Sequence, residues 1–189
     1  MSEDDSNDSG FAAAAIGGGI GLAVGGPVGA AAGAGISWWL NQRESEDELS
    51  DHNRALLRAA REVNHIADER GGLSASLYLA HLEGKTHDLD TEDGGTRNVL
   101  TSVEGDPDLI YSDVGGPTGN LIVEVETVTS LQTQAEHTVD QLARYRLRGY
   151  RTVLAVPNGE KAAAEEFVDE HKIEDPIYVV EAVNIATLL

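Results

Sequence analysis

The chain has 189 residues, 33 acidic and 13 basic, for a formal charge of −20, and is long enough for one modest α/β domain plus extensions. It has no cysteine, which excludes disulfides, thiolate zinc sites and cysteine nucleophiles. A net-negative surface repels nucleic acid at low ionic strength, but near 1 M salt the Debye length falls to about 3 Å and screens that repulsion.

Residues 1–10 (MSEDDSNDSG) are polar and acidic and read as a disordered N-terminus. Residues 11–40 carry no charge, and within them Gly17, Gly21, Gly25, Gly29 and Gly33 recur at every fourth position. On a helix these glycines share one face and let another helix approach closely. The pattern looks like a glycine zipper, typical of membrane-associated helices that self-associate. In water the nine glycines of this segment would cost a helix about 1 kcal/mol each relative to alanine, whereas lipid leaves no unpaired backbone group and favours the helix. Thirty residues of helix reach about 45 Å, more than a hydrocarbon core of about 30 Å. Trp38, Trp39 and Arg43 read as an interfacial anchor, while Gly25-Gly26-Pro27 also permits a hairpin of two short halves. The acidic leading end does not suit a cleaved signal peptide. The expectation is membrane association or self-association through residues 11–40, in a homo-oligomer with a cytoplasmic C-terminal domain. A flexible linker in a soluble cytoplasmic protein is the alternative.

An acidic linker (41–51) leads into an α/β domain over 52–189. Leu56, Ala59, Val63 and Ile66 are spaced for an amphipathic helix over 52–70, ended by Gly71-Gly72. The stretch 73–97 shows no clear period and leaves room for a short helix or strand; its His81, His87, Asp88 and Asp90 match no metal-ligand spacing. NVLTSV (98–103), DLIYS (108–112) and NLIVEVET (120–127) predict a three-strand meander, the last two joined by the Gly/Pro-rich turn 113–120. A helix over 131–148 follows, buried through Leu131, Ala135, Val139 and Leu142 and stopped by Gly149. TVLAV (152–156) suits a strand covered on both faces; helix 160–171 and strand 177–182 complete a mixed sheet.

The chemistry concentrates in three short stretches. Alternation along LIVEVET sends Glu124 and Glu126 to one face and Val123 and Val125 to the other, and the hairpin brings Asp108 beside Glu124. Converging carboxylates share protons or attract a hard cation such as magnesium or manganese. Gln134, Thr138, Gln141, Tyr145 and Arg148 form one polar stripe on the next helix. Arg144, Arg146, Arg148 and Arg151 crowd its end, suited to phosphate and equally to complementing a helix C-terminus.

Gly105, Pro107-Asp108, Glu124-x-Glu126 and Gln141-x-x-x-Tyr145 together resemble the PD-(D/E)xK nuclease superfamily over residues 52–189. Its pattern is an Asp, then acid-x-Lys on the next strand, then often QxxxY on the following helix. Glu126 stands at the lysine position, as glutamate does in some active restriction endonucleases of that superfamily. The resemblance implies a restriction endonuclease-like α-β-β-β-α-β core with a mixed sheet, here preceded by a Gly/Ala-rich helical segment. It further implies phosphodiester hydrolysis by Asp108, Glu124, Glu126, Gln141 and Tyr145. Mg2+ or Mn2+ would be held by Asp108, Glu124 and the main-chain carbonyl of Val125, with Glu126 binding a second metal or acting as base. Nucleic acid, DNA rather than RNA, is expected at Arg144, Arg148 and Arg151, and Glu62 is the candidate first-helix acid. The other expectation is a noncatalytic nuclease-fold binding module within a glycine-zipper membrane assembly. The acidic, lysine-poor composition looks like that of soluble proteins from salt-loving archaea, with an ordinary acidic surface as the alternative.

Overall fold

The computed structural model describes residues 49–70, 75–80, 99–113, 116, 118–173 and 176–189. The readings of 1–10, of the glycine-zipper segment 11–40 and of the histidine-containing stretch 81–98 fall outside these residues. Helix α1 (Asp51–Glu69) begins where the Ser50 hydroxyl accepts the Asn53 N–H at 3.2 Å, as an N-cap does. Leu56, Ala59, Ala60 and Val63 bury one of its faces completely. Four short strands and three helices come next, in the order β1 (Ser76–Leu79), β2 (Leu109–Ser112), β3 (Leu121–Val125), α2 (Val128–Thr133), α3 (Ala135–Arg144), β4 (Arg151–Val156) and α4 (Lys161–Glu170). Strand β5 (Ile177–Glu181) and a 3-10 helix (Ala182–Leu188) close the chain.

The five strands lie in sequence order in one mixed sheet. Strands β1, β2 and β3 pair antiparallel; β3–β4 pair parallel across α2 and α3, and β4–β5 pair parallel across α4. Alternate residues feed two cores. Val123, Val125, Val153 and Ala155 pack with α1 and Ile185 on one face, which one buried cluster joins. On the other face Ile110 and Ile122 meet Tyr145, while Leu154 and Val156 meet Leu131, Leu142 and Phe167. The turn between β2 and β3 is closed by Asp113, whose Oδ2 accepts from the N–H (3.1 Å) and hydroxyl (2.6 Å) of Thr118.

Two expectations are corrected. The strand expected over 98–103 is not formed by its described residues, 99–103: residues 99 and 100 are helical, and the N–H groups of Ser102 and Val103 both reach the Val99 carbonyl. Val99 and Val103, four apart, share a face and pack with Tyr78, Ala80 and Tyr145, so the helical period wins over alternation. The first strand instead comes from the unreadable stretch, as β1, paired Ser76 to Ser112. The helix expected over 131–148 is two helices broken at Gln134 (φ −129°, ψ 30°). It ends at Arg144 rather than running on to Gly149, which adopts φ +88° in the turn before β4.

Candidate functional site

Asp108, Glu124, Glu126, Gln141 and Tyr145 converge at the carboxyl end of β3. The break at Gln134 aims α3 so that Thr138, Gln141 and Tyr145, one turn apart, all face the strand. Glu124 and Glu126 are buried, at 4% and 7% exposure. Burial holds the Glu124 carboxyl well above the usual carboxylate range, and the charges of Asp108 and then Glu126 raise it further. Hydrogen bonds from Tyr145 and Gln141 pull the other way without cancelling the effect. Burial and the neighbouring Glu124 push the Tyr145 phenol up, so its hydroxyl keeps its proton and remains a donor.

Asp108 is oriented by the backbone. Its Oδ2 accepts the Val125 N–H at 2.9 Å, tying the start of β2 to the end of β3. The register pairs Leu109 with Val123, so the next ladder position opposite Val125 belongs to Pro107. Proline has no N–H, and the Val125 carbonyl therefore gets no bond from that position. Glu126 Oε1 accepts the Thr138 hydroxyl at 3.0 Å, and Thr138 is wholly buried. The Gln141 amide donates to the Tyr145 hydroxyl at 3.4 Å. Gly105, at φ +122°, lets the chain before Pro107 pass over the Tyr145 ring, which a Cβ there would meet at 3.4 Å.

Among the described residues, two buried side-chain atoms lack a hydrogen-bond partner: Glu124 Oε2 and Gln141 Oε1. Both are oxygens of this site, and a proton on Glu124 or a cation satisfies such acceptors. No group of three or more His, Asp or Glu side chains among the described residues is spaced to hold a metal ion. The implied set of two carboxylates and one carbonyl is smaller than that, and its hard oxygen donors fit magnesium or manganese.

The first helix contributes a residue that sequence reasoning missed. His52 Nε2 lies 3.8 Å from Asp108 Oδ1, whereas Glu62 sits ten residues on, about 15 Å further along the helix axis. The only sequence signal for His52 was its place one residue inside the helix start. Of the basic cluster, Arg151 stands apart from the carboxylates. Arg151 pairs with Leu121, three residues and about 10 Å along β3 from Glu124. Its guanidinium donates to the Leu188 carbonyl and lies over the Tyr178 ring, 5.8 Å from the centroid. Arg144 pairs with Asp140 at 3.7 Å, and Arg148 is exposed.

No family model, curated protein or solved structure matches this chain.

Proposed function

We propose that residues 52–189 form a PD-(D/E)xK-like, divalent-metal-dependent nuclease domain acting on nucleic acid, DNA rather than RNA. The observation that carries this reading is the meeting of Asp108, Glu124, Gln141 and Tyr145 around two unpartnered buried oxygens. The element order α-β-β-β-α-α-β, antiparallel at first and then parallel, is compatible with a restriction endonuclease-like core in which the helix after the third strand is broken in two.

In this reading Asp108, Glu124 and the Val125 carbonyl hold Mg2+ or Mn2+. The bound ion supplies activation of water and neutralisation of charge developing on the phosphate. Val125 N–H fixes the Asp108 carboxylate. Tyr145, always protonated, holds the Glu124 carboxyl in place. Thr138 restrains Glu126, which takes the position of the superfamily's lysine and serves as base or as ligand to a second ion.

Residues 11–40 add membrane association or self-association, resting on the glycine spacing and lack of charge in the sequence. Among the described residues no helix is long and apolar enough to cross a membrane, and this segment lies outside them.

The test is cleavage of plasmid and single-stranded DNA in molar KCl with Mg2+ or Mn2+, beside Asp108→Ala and Glu124→Ala. Divalent-dependent cleavage lost in both variants supports the nuclease. Absence of cleavage and of Mn2+ binding by calorimetry rejects it. The second reading, a noncatalytic nuclease-fold binding module, is favoured by the carboxylate at 126 and predicts nucleic-acid or protein binding without cleavage.

A further inference from the structure

The helices that follow β3 and β4 leave a groove of about 450 Å³ between them, on the face of the sheet away from α1. One wall is Val128, Leu131 and Ala135, at offsets of three and seven along α2 and into α3. The other is Ala163, Phe167 and His171, at offsets of four and eight along α4 and its C-cap. Such offsets repeat on one side of a helix, so each wall presents a single stripe about two turns, or about 10–12 Å, long. The floor is apolar: Leu131 and Phe167 are buried members of one core cluster, and Val128, Ala135 and Ala163 are half-buried.

Both ends of the groove are held in place. Just ahead of α4, the Glu160 carboxylate accepts the Val128 N–H at 2.7 Å and ties the two walls together. At the far end of α4 the His171 ring lies against Phe167, centroids 4.3 Å apart, with Nδ1 2.9 Å from the Phe167 carbonyl. An occupant therefore meets a surface already shaped. Glu166 and Glu170, one turn apart on α4, stand exposed at the rim. Among the described residues neither has an ion-pair partner, whereas the adjacent Glu165 pairs with Lys161 at 3.5 Å. No described lysine or arginine lines the groove, so the two rim charges are unbalanced there.

We propose that this groove receives a basic amphipathic helix of a partner protein. Apolar side chains at i, i+3, i+4 and i+7 of that helix enter between the two stripes, and lysine or arginine beside them reaches Glu166 and Glu170. Two facing helix stripes accept the ridge of a third helix, and unbalanced acids beside an apolar floor select a cationic flank. A second copy of this chain, at −20, brings like charge to an acidic rim. The interface stands independently of the nuclease chemistry.

The probe is a fluorescein-labelled peptide of leucine and lysine, about four helical turns long with leucines at those offsets. It is titrated with the full chain and followed by anisotropy in about 1 M KCl, where a Debye length of about 3 Å confines charge effects to direct contacts. A scrambled peptide of the same composition and one with glutamate for lysine are the comparisons. Glu166→Lys/Glu170→Lys reverses the rim; Glu165→Lys/Asp169→Lys makes the same charge change on α4 outside the groove; Ala163→Trp fills the groove without changing charge. Far-UV circular dichroism checks that each variant folds. Reversing the rim should weaken the leucine–lysine peptide about tenfold, or about 1.4 kcal/mol, the sum of two exposed ion pairs, and admit the leucine–glutamate peptide. Ala163→Trp should weaken both, and Glu165→Lys/Asp169→Lys should stay within two-fold of the wild type. The docking site is overturned if the wild type binds no peptide, if the scrambled peptide binds as tightly, or if both groove variants bind as the wild type does. A loss with Ala163→Trp alone overturns the basic partner. So does a wild-type oligomer that Ala163→Trp splits in sedimentation velocity, since the occupant is then a second copy.

Discussion

Thr138→Val removes a single oxygen from the wall of the site and should reveal how tightly Glu126 is held. Valine keeps the branched shape that Thr138 presents inside α3, so packing is almost preserved. What goes is the 3.0 Å bond to Glu126 Oε1, made where Thr138 is 0% and Glu126 7% exposed. The Gln134 carbonyl, at 3.5 Å from the same hydroxyl, is too distant to be the main partner. A hydrogen bond to a charged group contributes about 1.5–3 kcal/mol, and its loss leaves a buried carboxylate oxygen without its donor. At roughly 4 °C per kcal/mol for a domain of this size, the melting temperature should fall by about 6–12 °C. Thr138→Ser restores the hydroxyl and gives up one methyl, about 0.8 kcal/mol, so it should lie between valine and wild type. Urea denaturation followed by circular dichroism gives the free energies, and a cycle with Glu126→Ala, which removes the acceptor, isolates the pair. A Thr138→Val loss below about 0.5 kcal/mol, or a cycle without coupling, would refute the claim that this hydroxyl holds Glu126.

Glu124→Gln should be more stable than the wild type at pH 8 without divalent ions. Between an unfolded value of about 4.3 and its raised folded value Glu124 binds more proton in the native state, so wild-type stability falls as pH rises through that window, and glutamine removes the slope in a pH series of urea melts. Saturating Mn2+ should reverse the order, adding about 2.7 kcal/mol to the wild type at a hundred times its dissociation constant and little to the variant; equal shifts by calorimetry would count against Glu124 as a ligand. Gly105→Ala should lose about 1–2 kcal/mol in the same melts, because φ +122° suits no side chain and the new Cβ meets the Tyr145 ring. Glu126→Lys should retain or raise cleavage if the position only assists the attacking water, and should lower it with altered metal dependence if Glu126 holds a second ion.

What the sequence made readable, and what it hid, follow from how each signal arises. Alternation along LIVEVET gave the facing of Glu124 and Glu126, because a strand buried on two sides has no other way to place polar groups, and Val123 and Val125 do pack against α1. The four-residue step from Gln141 to Tyr145 likewise survived, since any helix there puts them on one face. Residues 98–103 misled because six residues with three apolar ones satisfy both periods, and only contact with Tyr145 decides between them. Strand β1 was illegible for a related reason: at SLYL both faces are buried, which erases the alternation that marks a strand. His52 was beyond reach as a site residue, because it acts through tertiary contact across from α1; Thr138 stood on the polar stripe with Gln141 and Tyr145, but its bond to Glu126 depends on a bend at Gln134 that no glycine or proline announces.

In the proposed nuclease reading, a carboxylate at Glu126 in place of the superfamily's lysine would alter the site in a way that position alone does not convey. A lysine beside Glu124 would lower its proton affinity and keep it ready as a ligand over a wide pH range. Glu126 does the opposite, adding its charge to that of Asp108 and to burial, all of which raise Glu124. The proton and a divalent cation then compete for the same carboxyl, whose Oε2 has no protein partner to satisfy it. On the proposed reading, a cation that won the competition would gain more here than at a lysine-bearing site, since it would relieve two repulsions as well as fill an empty acceptor. Thr138 holds Glu126 through a neutral hydroxyl, which fixes that carboxyl without an opposing charge, so on the proposed reading the field that would draw a cation is kept.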